Sequence, residues 1–196
     1  MDIEKILSSP IDKANFCVFD VETTGLSPYK NKIIEIAIVK VSKLKIVDKY
    51  CTFINPGRQI PFFITNLTGI SDDDVYDAPY FDEVADDIMN FISDHILIAH
   101  NLAFDQSFLK TELKNCSREK ITNPGVCTVK LARRLYPNLR SKSLSSVSSH
   151  LRLKNKDAHR AYGDADVTAK VLIKMLKALK EKHELEIVEE LISFQH

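Results

Sequence analysis

Three short stretches hold the residues whose types and spacing could do chemistry. Asp20 and Glu22 stand two positions apart at the end of the apolar run Phe16–Val21, in Asp20-Val21-Glu22-Thr23-Thr24-Gly25. His100-Asn101-Leu102-Ala103-Phe104-Asp105 follows a second apolar run, Ile96–Ala99. His159-Arg160-Ala161-Tyr162-Gly163-Asp164-Ala165 opens a long helical pattern. Alternate residues of a strand face the same way, so Asp20 and Glu22 project together. Two neighbouring carboxylates near a core are costly unless a cation neutralises them, and hard divalent cations such as Mg²⁺ take oxygen ligands of this kind. A histidine of near-neutral pKa can take a proton from water. Each stretch also has an ordinary reading. Asp20 can cap a turn with Glu22 solvated, Asp105 suits a helix start with or without a metal, and His159 with Asp164 can be a surface pair. Converging on one cleft, four acids and one histidine make a candidate site for metal-dependent phosphoryl transfer, in which two cations ~3.5–4 Å apart clamp the attacking and leaving oxygens.

These residues need a scaffold. Phe16–Val21 has the compact apolar character of a central strand, Lys32–Val41 mixes β-branched residues with alternation, and Lys45–Ile54 follows after a hairpin turn at Ser42-Lys43-Leu44. Asn55-Pro56-Gly57 breaks the sheet. Helical spacing then predicts Pro61–Leu67, Phe81–Ile92, about Phe104–Leu113, Val129–Leu135, Ser143–Leu151, Ala161–Lys182 and Leu185–Ile192, with a first short helix at Ile3–Leu7 and a four-residue strand at Ile96–Ala99. Three strands followed by strand and helix in alternation predict an α/β fold of three layers with a mixed sheet.

Composition sets bounds. At 196 residues, with 44% hydrophobic and 28% charged content, the chain reads as one soluble globular domain. No apolar run approaches the ~20 residues a membrane span requires, and the acidic N-terminal stretch does not suit a secretory signal. A cytoplasmic protein is expected. Cys17, Cys51, Cys116 and Cys127 lack paired spacing and read as reduced, mostly buried thiols rather than disulfides or a zinc site. The zero net charge conceals an asymmetry: −8 over residues 1–109, +12 over 110–182 and −4 over the rest. A basic segment beside an acidic one suits a polyanionic substrate at a cation-loaded site, and equally suits helix faces turned to water.

Taken together, the three stretches resemble the motifs of the DEDDh exonucleases, the DnaQ-like family of the proofreading (epsilon) subunit of bacterial DNA polymerase III. DxETTGL stands at Asp20–Leu26, HNxxFD at His100–Asp105 and HxAxxDA at His159–Ala165, with INPGRQIP, LTGIS and KSLSSVSSHL between them. The resemblance covers about residues 14–178. It implies a ribonuclease H-like three-layer fold with a mixed five-stranded sheet flanked by helices, and residues 1–196 as a single exonuclease domain. It implies two divalent cations, Mg²⁺ or Mn²⁺: Asp20 bridges both, Glu22 and Asp164 help hold one, Asp105 serves the other, and His159 is the general base. It implies that Thr23, Thr24, Leu26, Thr68, Gly69 and Ile70 flank the terminal nucleotide, supported by Asn101 and Phe104. Cys127 departs from the family, where Asp is frequent. Glu35, in IIEIA, matches a recurrent family Glu and is equally an ordinary strand residue.

The expected activity is 3′→5′ hydrolysis of DNA ends to nucleoside 5′-monophosphates, in proofreading. Single-stranded or frayed 3′ ends are the expected partners, with any DNA polymerase contact made in trans. An exoribonuclease for RNA ends is the alternative within the class, and a catalytically silent nucleic-acid-binding module the alternative outside it. Weaker features are Arg133, Arg134, Arg140 and Lys142 as phosphate contacts or solvated ends, Phe62 and Phe63 as packing under a loop or lining the substrate cleft, and Tyr162 on the sheet or against substrate.

Overall fold

In the computed structural model, which describes residues 2–155 and 158–196, five strands form one sheet in the order β3-β2-β1-β4-β5. They are β1 (Asn15–Thr23), β2 (Ile33–Ser42), β3 (Lys45–Phe53), β4 (Ile96–Ala99) and β5 (Gly125–Cys127). The β1–β2 and β2–β3 pairs are antiparallel, and β4 and β5 add in parallel. The β2–β3 turn is tight, with Lys43 and Leu44 at φ 51° and 57°, the left-handed pair that matches the twist of a two-residue hairpin.

The helices are α1 (Ile3–Leu7), α2 (Phe62–Thr68), α3 (Asp72–Val75), α4 (Phe81–Ile92), α5 (Leu102–Asn115), α6 (Thr128–Leu135), α7 (Leu144–His150), α8 (Ala161–His183) and α9 (Val188–Phe194). Alternation along β1 splits the core. Phe16 and Val18 join a cluster under α6–α9, while Cys17, Phe19 and Val21 join one under α4 and α5. By the same alternation Asp20 and Glu22 lie on the α8 side, and so does Glu35, whose neighbours in parity Ala37, Val39 and Val41 pack there. The α8 face toward the sheet carries Ala161, Ala165 and Ala169, all fully buried. These small side chains let the helix axis approach β1 and β2, which brings Asp164 to the carboxylates.

The ribonuclease H-like α/β fold expected from the sequence is therefore present. Several boundaries differ. The helix anticipated from about Phe104 starts at Leu102, because Asn101 adopts φ 94° and turns the chain at once. The last helix begins at Val188 rather than Leu185, since Glu186 and Ile187 offer their N–H groups to the Glu190 side chain and form the cap. The Asp72–Asp74 run is part of a short helix, with Asp74 accepting from the N–H and hydroxyl of Ser71. Strand β5, three residues long, escaped the strand assignment because it is too short for a pattern. Its outer edge is covered by Gln195, which accepts from Cys127 N–H (2.9 Å) and donates to Gly125 C=O (3.0 Å).

The beginning and end of the described chain meet. Pro10 and Ile187 form a bridge, Ile11 N–H donates to Glu186 C=O and Val188 N–H to Ser9 C=O, and α1 packs near α9. Among the four cysteines, all free, only Cys17 and Cys127 are buried; Cys51 is exposed and Cys116 half-buried, so the expectation of mostly buried thiols holds for two.

Candidate active site

Strand β1 delivers Asp20 and Glu22, and α8 delivers Asp164 from its first turn. Carboxylate oxygens of the three lie within 4.8 Å of one another. Such a donor set fits a hard divalent cation, whose oxygen ligands are held together against their mutual repulsion. The electrostatics record that repulsion. Burial, then the charges of Asp105, Glu22, Asp164 and Glu35, holds the Asp20 carboxyl well above the usual carboxylate range. Burial, with Asp164 and Glu35 nearby, pushes Glu22 up to about 7, against the opposing pull of Arg160.

Asp105 stands apart from the three-oxygen group. It is 4% exposed, and its Oδ1 accepts from Val21 N–H at 3.2 Å. That bond ties α5 to β1 between Asp20 and Glu22. Burial pushes its carboxyl up to about 8, although the Val21 N–H works the other way. Asp164 is held from two sides, by Asn155 Nδ2 at 2.5 Å and by His159 N–H at 3.2 Å. His159 itself is exposed, in a left-handed turn at φ 63° just before α8.

The residues expected beside a terminal nucleotide divide in two. Leu26 is 85% exposed, and beside Gly69 (φ 74°) the space is open, with nothing within 4 Å of where a Cβ would stand. Thr23, Thr24, Thr68 and Ile70 are buried. Thr23 donates to Gly25 C=O, Thr24 accepts from Lys32 N–H, and Thr68 donates to Ile64 C=O while accepting from Ile70 N–H. Their side chains shape the two loops instead of lining a surface. A Cβ at Gly25 in the first loop would lie 2.6 Å from Asn31 Oδ1, so a side chain there needs Asn31 to shift. Asn101 is exposed, and half-buried Phe104 stacks at a tilt on fully buried Phe108, 5.0 Å between centroids.

Phe62 and Phe63, expected to pack under the loop, are 79% and 64% exposed. Ile64, not the aromatics, turns inward from α2 into a small cluster with Ile34, Ile60, Ile70 and Val75. Tyr162 is half-buried, with Lys49 Nζ 4.4 Å from its ring centre. Lys142 turns its ammonium to the carbonyls of Pro137 and Leu139. Sequence reading missed the partners of His100, which bridges Thr128 Oγ1 and Lys142 C=O at 2.8 Å each. It also missed Arg160, which forks onto Glu35; its place beside His159 was the available signal.

Comparison with known proteins bears on the family and the fold. The exonuclease family model RNase_T matches residues 17–172. DNA polymerase III PolC-type of Clostridium perfringens is 42% identical over 176 residues, covering 90% of this chain and 12% of that protein. Exonuclease X, solved in complex with 5′ overhanging duplex DNA, is 26% identical with a TM-score of 0.70, covering 92% of this chain and 99% of the other. A 3′-exonuclease solved for recognition of the histone mRNA stem-loop shares the fold, with a TM-score of 0.71 at 22% identity, covering 84% and 82%. The fold and its acid cluster thus define a ribonuclease H-like nuclease. The chain belongs to the exonuclease family. It spans only about 12% of the length of the PolC-type relatives it matches.

Proposed function

We propose that this chain trims DNA from free 3′ ends, releasing nucleoside 5′-monophosphates, with two divalent cations and with His159 as general base. The observation that carries this reading is the three-carboxylate group of Asp20, Glu22 and Asp164, brought within 4.8 Å from two separate elements. Asp20, Glu22 and Asp164 hold the cations, Mg²⁺ or Mn²⁺, with Asp105 completing the acidic set from α5. Bound there, such cations supply positive charge against the attacking and leaving oxygens of a phosphodiester.

The chain's own residues do the rest. His159, exposed and bonded through its backbone N–H to Asp164, accepts a proton from the attacking water. The water oxygen bonds to phosphorus, the bond to the 3′ oxygen of the preceding nucleotide breaks, and that oxygen regains a proton as a new 3′ hydroxyl. Leu26 projects from one loop as an apolar face for the terminal base, and open Gly69 lets the backbone of the second loop approach the sugar. A single strand or a frayed end suits this arrangement, since the terminal nucleotide must part from its neighbour.

DNA is favoured by the PolC-type relatives and by the DNA complex of Exonuclease X. Those relatives also favour a polymerase as the setting for proofreading, with residues 1–196 acting as a single exonuclease domain that meets it in trans. Among the described residues no helix is long and apolar enough to cross a membrane, and a cytoplasmic setting accords with a replicative role.

The test mixes the protein with 5′-labelled single-stranded DNA and RNA of one sequence, with Mg²⁺, Mn²⁺ or EDTA. A ladder shortening from the 3′ end, faster on DNA, lost in EDTA and in Asp20→Ala and slowed about 100-fold or more in His159→Ala, is the expected result. Faster shortening of RNA overturns the substrate assignment in favour of an exoribonuclease. No shortening by the folded protein with either metal overturns the reading and leaves a nucleic-acid-binding module.

A further inference from the structure

Helix α8 begins without a cap of its own. Its N-cap residue is Arg160, in an extended conformation, and an arginine side chain has no acceptor for the free N–H groups of the first turn. The acceptor comes from another element. Glu35, on β2 and 2% exposed, accepts Ala161 N–H on Oε2 at 2.9 Å. The same carboxylate takes Arg160 in a fork, Nε to Oε2 at 3.2 Å and an Nη to Oε1 at 2.8 Å. The guanidinium also lies over the Phe53 ring, 5.1 Å from its centre. Both Glu35 oxygens are committed, and Glu35 lies outside the three-carboxylate group although it pairs directly with Glu22 across β1–β2.

Between this anchor and Asp164 lies His159. Its φ of 63° belongs to the region that non-glycine residues rarely adopt, and such a conformation persists only where its surroundings impose it. Two restraints do so: its own N–H on Asp164, and the Glu35 grip on the next two residues. Resting on the reading above, we infer that Glu35 and Arg160 form a positioning pair which fixes the turn of His159, and so set the rate of the chemical step without touching substrate. A fork of two parallel bonds suits this task, because it fixes orientation as well as distance.

The experiment compares the full-length wild type, Glu35→Gln and Arg160→Lys on single-stranded DNA with Mn²⁺, each also in a His159→Ala background. Gln keeps one acceptor but loses the charged fork, and Lys at the half-exposed position 160 keeps charge without the planar geometry. A misplaced catalytic group can cost on the order of 100-fold, so kcat should fall about 10- to 100-fold in Glu35→Gln and about 5-fold or more in Arg160→Lys. KM and Mn²⁺ affinity measured by calorimetry should stay within about threefold. In the His159→Ala background either substitution should cost about twofold or less, because residues acting through one group are not additive. Full additivity, a kcat within twofold of wild type in both variants, or a loss of Mn²⁺ affinity matching the loss of kcat, each overturns the inference. Wild-type protein inactive on DNA overturns instead the function on which it rests.

Discussion

Replacing Asp105 by Asn should stabilise the metal-free protein at neutral to alkaline pH while impairing its activity. The Asp105 carboxyl is buried beside Asp20, and its pKa rises from 3.8 to about 8. A carboxyl raised on folding keeps a proton that the unfolded chain gives up. Its contribution is therefore complete below about pH 3.8 and is lost as pH rises through 8. At about 1.4 kcal/mol per pKa unit, the loss at pH 8 is at most on the order of 5 kcal/mol. Water reaching the half-buried Asp20, Glu22 and Asp164 reduces it, and about half is a reasonable working figure. Asn cannot ionise but retains an oxygen for Val21 N–H. In EDTA at pH 8 the variant should melt about 5–10 °C above wild type, at ~2–4 °C per kcal/mol for a domain of this size. Near pH 4.5 the advantage should shrink to about 1 kcal/mol, because the wild-type carboxyl is then largely protonated when folded and only partly ionised when unfolded. Calorimetric melts at pH 4.5, 6 and 8 provide the assay. A variant melting at or below wild type at pH 8, or gaining equally at all three values, would refute the assignment of electrostatic cost to this carboxyl.

Other outcomes follow from the same geometry. Mg²⁺ at about 100 times its dissociation constant should stabilise wild type by about 2.7 kcal/mol, read as a rise in Tm, and should leave Asp20→Asn/Glu22→Gln unmoved. Burial lowers the His100 pKa below 6.5. The unfolded chain therefore takes up the proton first, and stability should decline as pH falls below about 6.5, a decline flattened in His100→Gln and read from melts in EDTA. Gly69→Ala, at φ 74° in open space, should cost about 1 kcal/mol through backbone strain alone, measured by urea unfolding. Phe62→Ser/Phe63→Ser should move stability by about 0.5 kcal/mol or less, because both rings already face water.

The strands and the long helices were legible because their apolar periods extend over many residues. Phe16–Val21 and Ile96–Ala99 appear where compact apolar runs placed strands, and Phe81–Ile92 where helical spacing placed a helix. The pairing of Asp20 with Glu22 was legible for the same reason: a period of two puts them on one face whatever else the chain does. What sequence could not supply was the partner of each polar group. Glu35 looks like a break in an apolar strand until α8 folds back over β2 and brings Arg160 from 125 residues away. Thr23, Thr24 and Thr68 look available to a ligand until the loops close and their hydroxyls meet local carbonyls and N–H groups. Phe62 and Phe63 carried no period that could say which side of a seven-residue helix turns inward.

The bridge between Pro10 and Ile187 has a mechanical consequence. The two ends of the fold leave it side by side, through residues 9–11 and 186–188 bonded to each other. A unit with this geometry can be carried inside a longer polypeptide with little loop-closure entropy to overcome. Tension along such a polypeptide loads the end contacts first, namely this short clamp and the Gln195 bonds to β5. Only the edge strand β5 meets that load directly, and β1, which holds Asp20 and Glu22, lies two strands further in.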